Sequence, residues 1–141
     1  PREPIEELGY HVETHGQKSF NGVAILSKFP LEDVSRGLPG DDEDTQARWI
    51  EATVIGDQKA VRVCGLYLPN GNPAPGPKYD YKLSWMERLH THAQELLALE
   101  EPALMAGDYN VIPQAEDCWD VTPWLNDALF MQISNHVVRV A

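Results

Sequence analysis

The sequence has little that would place it in a membrane, a secretory pathway or a zinc-binding class. Its 141 residues include no run of about eighteen apolar side chains, the length that a membrane-spanning helix needs. Two cysteines are present, Cys64 and Cys118, and their separation is typical of neither a zinc site nor a disulfide framework. The first residues include no Met, and no apolar core of a secretion signal follows them. These absences predict a cytoplasmic protein with no membrane partner, and a chain that begins inside a longer protein.

Basic residues are also scarce, since 11 Lys and Arg stand against 22 Asp and Glu and the net charge is −11. Taken alone, this argues against a nucleic-acid-binding protein, because neutralising phosphates requires Lys and Arg. The acidic residues are concentrated at 3–7, 41–44 and 100–101, however, whereas basic residues occur elsewhere. An acidic protein can therefore still present one basic face, and carboxylates are the ligands that a magnesium site needs.

Hydrophobic periodicity predicts a mixture of strands and one long helix. A short apolar run at Gly22–Ser27 predicts a buried strand, and the alternation at Trp49–Ile55 predicts a half-buried one. Gly56-Asp57 predicts a hairpin turn into Ala60–Leu68, with Cys64 as a buried thiol. Residues 69–77 are rich in Pro, Gly and Asn and predict a loop. Apolar residues at helical spacing then predict a helix over 79–99, with an apolar face of Leu83, Met86, Leu89, Ala93, Leu96 and Leu97. This order of elements indicates an α/β or α+β domain.

The strongest chemical signal is Asp108-x-Asn110, directly after Gly107 at the end of an apolar run that predicts a buried strand. With one residue between them, the carboxylate and the amide oxygen can both reach a point just past the strand. Both are oxygen ligands suited to Mg²⁺. The more common explanation for such spacing is an Asx turn that ends a strand, because Asp and Asn are frequent turn residues.

Two further segments are weak signals when taken alone. Tyr67 ends a predicted strand before Pro69-Asn70-Gly71, so its hydroxyl can point into a cleft, although a strand Tyr is more often simply half-buried. The polar stretch from His15 to Gly22 precedes a strand and, by itself, indicates an ordinary turn.

Taken together, the segments are more specific than any one of them. From about Gly9 to about Phe130, the chain resembles the exonuclease III branch of the endonuclease/exonuclease/phosphatase superfamily. The matching stretches are Gly16-Gln17-Lys18, Asn21–Ser27, Gly37–Asp42, Gln46-Ala47-Arg48, Tyr67-x-Pro69-Asn70-Gly71, Lys78-x-x-x-Lys82-Leu83, Gly107-Asp108-x-Asn110, Asp117-x-Trp119-Asp120 and Trp124-Leu125.

This resemblance implies an α+β fold that is part of a four-layer α/β/β/α sandwich, with two sheets face to face and helices outside. It also implies a phosphodiesterase that acts on double-stranded DNA with one or two divalent metals, usually Mg²⁺ and with Mn²⁺ as a possible substitute. Such enzymes incise at abasic sites and remove nucleotides from 3′ ends in base excision repair.

The family pattern also implies roles for single residues. Asp108 would orient or deprotonate the attacking water, and Asn110 would help to hold the metal or a phosphate oxygen, so that both are expected metal ligands. Tyr67 would lie against the scissile phosphate. The family pattern further places three residues near the DNA strand: Arg48, Asn70 and Lys82. For Arg48 and Lys82 the alternative is a solvated surface charge.

The chain also departs from the family pattern. A principal Glu ligand is expected before Pro1 and a terminal Asp-His pair beyond the chain, while residues 131–141 do not resemble the family. We therefore predict a single incomplete nuclease domain over 1–141, family-like over about 9–130, with an atypical tail at 131–141. An uncovered sheet face predicts lower stability or self-association.

Two alternatives stay open at this point. One is a catalytically inactive fragment of such a nuclease, which the absent ligands favour. The other is a phosphatase or phosphodiesterase of the same superfamily with a different substrate. The Gly37–Asp42 loop and the Tyr67-x-Pro69-Asn70-Gly71 segment favour the DNA branch, whereas Gly107-Asp108-x-Asn110 does not discriminate.

Overall fold

The computed structural model describes residues 2–131 of the chain. The predicted atypical tail therefore lies, except for Met131, outside the described residues. Within the described range the elements are α1 (Arg2–Glu6), β1 (His11–Gly16), β2 (Gly22–Ser27), β3 (Leu31–Arg36), β4 (Trp49–Ile55), β5 (Ala60–Tyr67), α2 (Pro77–Ala98), β6 (Ala103–Asp108) and 3₁₀ turns at Ala115–Asp117 and Thr122–Trp124. No helix in this range is long and apolar enough to cross a bilayer.

These residues form two compact units. The first contains the chain up to Tyr67 together with Leu96–Gly107, and the second contains Leu68–Glu95 and the residues from Asp108 onward. The strands lie in the first unit, apart from Asp108 at the end of β6. That they belong to one incomplete domain stays a prediction.

The first unit is built on two sheets. Strands β1 and β2 form an antiparallel pair, and the second sheet has the order β3-β4-β5-β6. The pair packs against the larger sheet, and Ile25 of β2 meets Ile50 and Ala52 of β4 in a buried core. Two sheets together with the long helix α2 confirm the predicted α+β class.

Strands β2 and β4 have their predicted bounds, but their burial differs from prediction. In β4 the first four residues are all buried, and β2 covers one face of the strand, where Ile25 packs against Ile50 and Ala52. Its polar Glu51 is buried together with a partner, since a carboxylate oxygen lies 2.8 Å from Arg62 Nη1 of β5. In β2 exposed and covered residues alternate, and Leu26 is exposed. Both predictions of burial were wrong.

The predicted hairpin between β4 and β5 is confirmed. Gly56 N donates to Lys59 O across the turn, and β5 then runs antiparallel to β4. Cys64 of β5 is fully buried as predicted, and its burial raises the pKa of the thiol to about 12, with the Glu51 carboxylate adding to the effect. Cys64 and Cys118 are both free thiols.

Strand β6 joins the sheet beside β5. Arg62 N donates to Pro102 O and Leu68 N donates to Asp108 O, so the two strands advance in the same direction. Among the described strands, β6 has a neighbour on one side only. Most of its residues are exposed, including Leu104. The segment is a strand, as predicted, but the prediction that this strand is buried was wrong.

Helix α2 begins two residues before the predicted start and ends one residue earlier than predicted. Its buried stripe contains Met86, Leu89, Ala93 and Leu96, as expected. Leu97 is 65% exposed, so its assignment to the apolar face was wrong. Successive helical residues point about 100° apart, and the direction in which Leu97 points is exposed at this end of α2.

Candidate active site

Tyr67, the last residue of β5, makes three contacts with Arg48. The Tyr67 amide donates to Arg48 O at 2.9 Å, and Arg48 Nη1 donates to Tyr67 O at 3.2 Å. The guanidinium carbon also lies 5.0 Å from the centroid of the Tyr67 ring, within cation–π range. Both side chains are half-buried. The two residues that the sequence singled out in this unit are therefore in direct contact.

Arg48 is in turn held by residues that the sequence did not indicate as site residues. Arg48 Nε donates to Gln46 Oε1 at 2.7 Å, and the same oxygen accepts from Asn21 Nδ2 at 3.3 Å. Gln17 Oε1 accepts from Ala47 N at 2.8 Å. This polar network joins the Gly16-Gln17-Lys18 and Gln46-Ala47-Arg48 segments. Their joint presence in the matched pattern was the available signal, but spacing alone gave no contact between them.

Asp108 lies at the end of β6 and its side chain is exposed. Its Oδ1 accepts from Asn110 N at 2.9 Å, which is the bond of the Asx turn anticipated for Asp-x-Asn. The turn therefore exists, and it leaves Oδ2 on an exposed carboxylate. The structural explanation and the chemical one are compatible here, because the turn orients the carboxylate without using both oxygens.

Asn110 has a left-handed backbone with φ of 45°, which Asn tolerates better than most residues. Its Nδ2 donates to Leu68 O at 2.8 Å. This hydrogen bond uses one of the two N–H donors of the amide and orients the side chain. The side chain is half-buried, so its orientation is fixed by packing as well as by the hydrogen bond.

The two remaining candidate residues of the second unit, Asn70 and Lys82, differ in exposure. Asn70 is exposed, and its Oδ1 accepts from Asn72 N and Nδ2 at 3.1 and 2.9 Å. Lys82 is fully buried, which excludes the alternative of a solvated surface charge. Burial lowers the pKa of Lys82 to about 8, while the carboxylates of Asp127 and Asp108 act in the opposite direction.

The oxygen donors fit part of a divalent-metal site. Mg²⁺ usually keeps several waters and binds proteins through one or two carboxylates. Asp108 and Asn110 offer one carboxylate and one amide oxygen, which are of the right chemical type. Across residues 2–131, however, no three His, Cys, Asp or Glu side chains are grouped to hold a metal ion. By themselves these two residues therefore do not form a complete metal cage.

Comparison with known proteins identifies the family to which these features belong. The model of the endonuclease/exonuclease/phosphatase family matches residues 2–137. The chain belongs to this family, so the α+β architecture described above is part of that fold. Family members typically depend on divalent metals.

The chain is similar to particular nucleases within the family. It is 36% identical over 121 residues to exodeoxyribonuclease III of Haemophilus influenzae, a match that covers 83% of this chain and 44% of that protein. An AP endonuclease from Archaeoglobus fulgidus superposes with a TM-score of 0.89 at 34% identity, over 99% of this chain and 52% of the other.

A third relative is NExo, a 3′-5′ exonuclease from Neisseria meningitidis, with a TM-score of 0.91 at 32% identity, over 99% of this chain and 53% of the other. A further structure of NExo from Neisseria, described as a 3′ phosphatase, is bound to a product DNA hairpin. The chain spans about half the length, or less, of these relatives.

Proposed function

We propose that this chain belongs to a metal-dependent DNA phosphodiesterase of the exodeoxyribonuclease III type. The proposed activities are incision at abasic sites and removal of nucleotides from 3′ ends in base excision repair, in the cytoplasm. The observation that carries the proposal is the 36% identity to exodeoxyribonuclease III over most of this chain. That stretch includes an exposed carboxylate at the end of β6, followed by an anchored Asn110.

Mg²⁺ is the proposed cofactor, with Mn²⁺ as a substitute. Asp108 and the amide oxygen of Asn110 would be two of its ligands, since both are oxygen donors of the kind that Mg²⁺ prefers. When bound, the cation would stabilise the negative charge that develops on the transferring phosphoryl group.

The protein side chains supply orientation and proton transfer. The exposed Asp108 carboxylate would accept a proton from the attacking water, since its Oδ1 is already oriented by Asn110 N. The Tyr67 hydroxyl would donate a hydrogen bond to a non-bridging phosphate oxygen, and Arg48 holds its backbone and ring in place. Asn70, exposed on its loop, would contact the DNA backbone.

The distribution of arginine partners supports a phosphate-binding role for Arg48. Three other arginines of the first unit pair with glutamates, at Arg2–Glu6, Arg36–Glu13 and Arg62–Glu51. Arg48 instead donates to a neutral amide and a carbonyl. Its positive charge is therefore not neutralised by a carboxylate in its hydrogen bonds. Because the chain has a net charge of −11, a positive charge that is not neutralised would help to attract the negatively charged phosphodiester.

The test is nicking of a fluorescent duplex with one abasic site, in Mg²⁺, in Mn²⁺ and in EDTA. We expect metal-dependent incision that falls at least about a hundredfold in both variants. Asp108→Ala removes the group that accepts the proton of the attacking water, and Tyr67→Phe removes a hydrogen bond to the phosphate. Lys59→Met is the matched control, since Lys59 is an exposed residue of the β4–β5 turn at the other end of β5 from Tyr67. It should retain activity within about twofold.

Full activity of the Asp108→Ala variant would remove the assigned role. If a folded wild-type chain gives no incision, the alternative of a non-catalytic fragment is supported. The absence of a group of three metal-ligating side chains among residues 2–131 is the observation that favours this alternative.

A 3′ phosphatase is a second candidate activity, favoured by the similarity to NExo described as a 3′ phosphatase. The same carboxylate and tyrosine could serve attack on a 3′-phosphate monoester, since both reactions transfer a phosphoryl group to water. A duplex with a nick carrying a 3′ phosphate separates the two activities. Release of inorganic phosphate without abasic-site incision would favour the phosphatase.

A further inference from the structure

Lys82 of α2 is a fully buried lysine, which is rare in globular proteins unless the charge is partnered. Its Nζ donates to three backbone carbonyl oxygens, those of Asn110 at 2.7 Å, Ala128 at 3.0 Å and Asn70 at 3.2 Å. A lysine ammonium has three N–H donors. Every donor of Lys82 therefore has a protein acceptor, and no part of the side chain faces solvent.

The stem of Lys82 is enclosed as closely as its ammonium. A Cβ atom added at Gly71 would lie 2.6 Å from Lys82 Cδ and 3.3 Å from its Cβ. The same atom would lie 3.1 Å from Cβ of Ala128, and Gly71 has a positive φ of 90° that L residues rarely adopt. Gly71 therefore leaves the space through which the lysine stem reaches the three carbonyls.

The three acceptors belong to three different segments of the second unit. Asn70 lies in the loop before α2, Asn110 lies in the turn after β6, and Ala128 lies beyond the second 3₁₀ turn. The first and third segments are also joined directly, since Asn72 Nδ2 donates to Asp127 Oδ1 at 2.9 Å and Ala128 N donates to Asn72 Oδ1 at 3.1 Å. Through its hydrogen bond to Asn110 O, Lys82 also links the turn after β6 to these two segments.

A direct contact with DNA is not what this environment favours. A lysine that binds phosphate must turn at least one N–H toward solvent, whereas all three donors of Lys82 point to carbonyls within the unit. Freeing one of them would break a hydrogen bond between a charged group and a carbonyl, which is costly.

We propose that Lys82 is a positioning residue, whose buried ammonium fixes the backbone of Asn70 and Asn110 by hydrogen-bonding their carbonyls. This inference rests on the proposed function for what Asn70 and Asn110 then do, since it assigns them to the DNA backbone and the metal. Lys82 itself touches neither. It sets the relative placement of two residues that act on the substrate.

The first test measures the connection without any need for activity. Amide hydrogen exchange is compared between the wild-type chain, Lys82→Met, Lys82→Arg and the control Lys59→Met. Lys82→Met keeps the length of the stem and removes the donors. We expect exchange at least about tenfold faster in peptides covering 68–72, 109–112 and 127–129, because these segments lose hydrogen bonds to a charged group. Peptides covering β4 should be unchanged, which separates local release from global unfolding.

Lys82→Arg retains charge and donors, so it should restore part of the protection in those peptides. Lys59→Met should match the wild-type chain throughout. If Lys82→Met leaves exchange in all three segments unchanged, the positioning role is overturned. If Lys82→Met unfolds altogether, exchange becomes faster in β4 as well, and Lys82→Arg is compared with the wild-type chain instead. Faster exchange in Lys82→Arg that is confined to the three segments would support the positioning role, and exchange equal to that of the wild-type chain in all three would overturn it.

The second test distinguishes positioning from contact with DNA. Duplex affinity is measured in EDTA between low and moderate salt. A lost phosphate contact would lower the slope of log affinity against log salt by about one. For Lys82→Met we expect an unchanged slope, and a fall in kcat for incision of at least about tenfold with KM changed by less than about threefold. A slope lowered by about one would overturn the proposal in favour of a DNA contact.

The two tests also separate this inference from the proposed function. If the wild-type chain neither binds nor incises duplex DNA, the proposed function fails for this chain, while hydrogen exchange still decides whether Lys82 fixes the three segments. If the chain is active and Lys82→Met matches it in both exchange and kcat, the proposed function stands and the positioning role fails.

Discussion

Gly107, the residue before Asp108, has the tightest surroundings of any glycine in the described chain. A Cβ atom at this position would lie 1.9 Å from Leu66 O and 2.8 Å from Leu66 C, and both are backbone atoms that cannot move aside alone. Its φ of 151° also lies in a region that favours glycine. Close approach of the backbone to β5 at this point therefore requires a residue without a side chain.

Gly107→Ala should destabilise the protein by about 3 kcal/mol or more, because overpacking against backbone adds to an unfavourable φ. The measurement is the midpoint and slope of urea unfolding. Gly16→Ala is the matched control, since Gly16 is the last residue of β1, Gly107 is the last but one of β6, and nothing lies within 4 Å of a Cβ added at Gly16. Equal midpoints for the two variants would contradict this account of Gly107.

At this scale the sequence predicted residue types better than residue environments. Asp108 and Asn110 were indicated by their chemistry and spacing, whereas Arg48 was indicated only by the resemblance to the family and Tyr67 mainly by it. The burial of Lys82 could not be predicted, since a helical lysine at this position is equally consistent with solvent. Its three acceptors are backbone carbonyls. Because every residue has one, the sequence does not indicate which carbonyls lie near Lys82.

Among the secondary-structure elements, the pairing of β4 with β5 shows how a charged residue can be buried inside a sheet. Glu51 and Arg62 are joined at 2.8 Å, and hydrogen bonding to Glu51 is the main cause that raises the pKa of the Arg62 guanidinium. A second carboxylate, that of Glu101, lies 3.3 Å from Arg62 Nη2. The two carboxylates differ in burial, with side-chain exposures of 8% and 57%.

This difference predicts unequal effects of removing each carboxylate. Glu51→Ala should lower the free energy of unfolding by about 2–4 kcal/mol, because it leaves a half-buried guanidinium without its main partner and opens space in the sheet. Glu101→Ala should cost less than about 1 kcal/mol, as exposed ion pairs contribute little. Chemical denaturation of both variants at neutral pH measures the difference. A larger loss in Glu101→Ala would show that burial is not the deciding factor.

Periodicity predicted where the strands begin and end far more closely than it predicted whether their residues are buried. Strands β2 and β4 were predicted with their observed bounds, because apolar and β-branched runs between turn residues define a strand locally. Burial depends on neighbouring elements, and these are distant in the sequence. Ile50 and Ala52 of β4 are covered by Ile25 of β2, whereas most residues of β6 are exposed although its apolar run is similar.

For the molecule as a whole, the edge strand β6 raises the question of what pairs with it. In the described part of the chain, β6 has one neighbour, and its Leu104 is 54% exposed. Leu97 and Leu99 of the same unit are also exposed, at 65% and 53%. The relatives are about twice as long as this chain, and additional sequence of the family fold is one candidate for the partner of β6. A second copy of this chain is the other.

An open edge with exposed leucines is a template for strand addition. We therefore predict that the 141-residue chain self-associates as its concentration rises into the micromolar range, where unpaired edges promote association. Light scattering after size-exclusion chromatography measures this. Leu104→Lys should shift the chain toward the monomer, because a charge on an edge strand opposes pairing. Leu8→Lys is the control, since Leu8 is comparably exposed but lies outside the strands.

The two variants give different information about the edge. If both remain associated like the wild-type chain, association does not use β6. If the wild-type chain is monomeric at every concentration, the exposed edge is tolerated and self-association is wrong. A longer protein that contains this chain and stays monomeric, while the chain alone associates through β6, would show that further sequence of the same protein covers the edge.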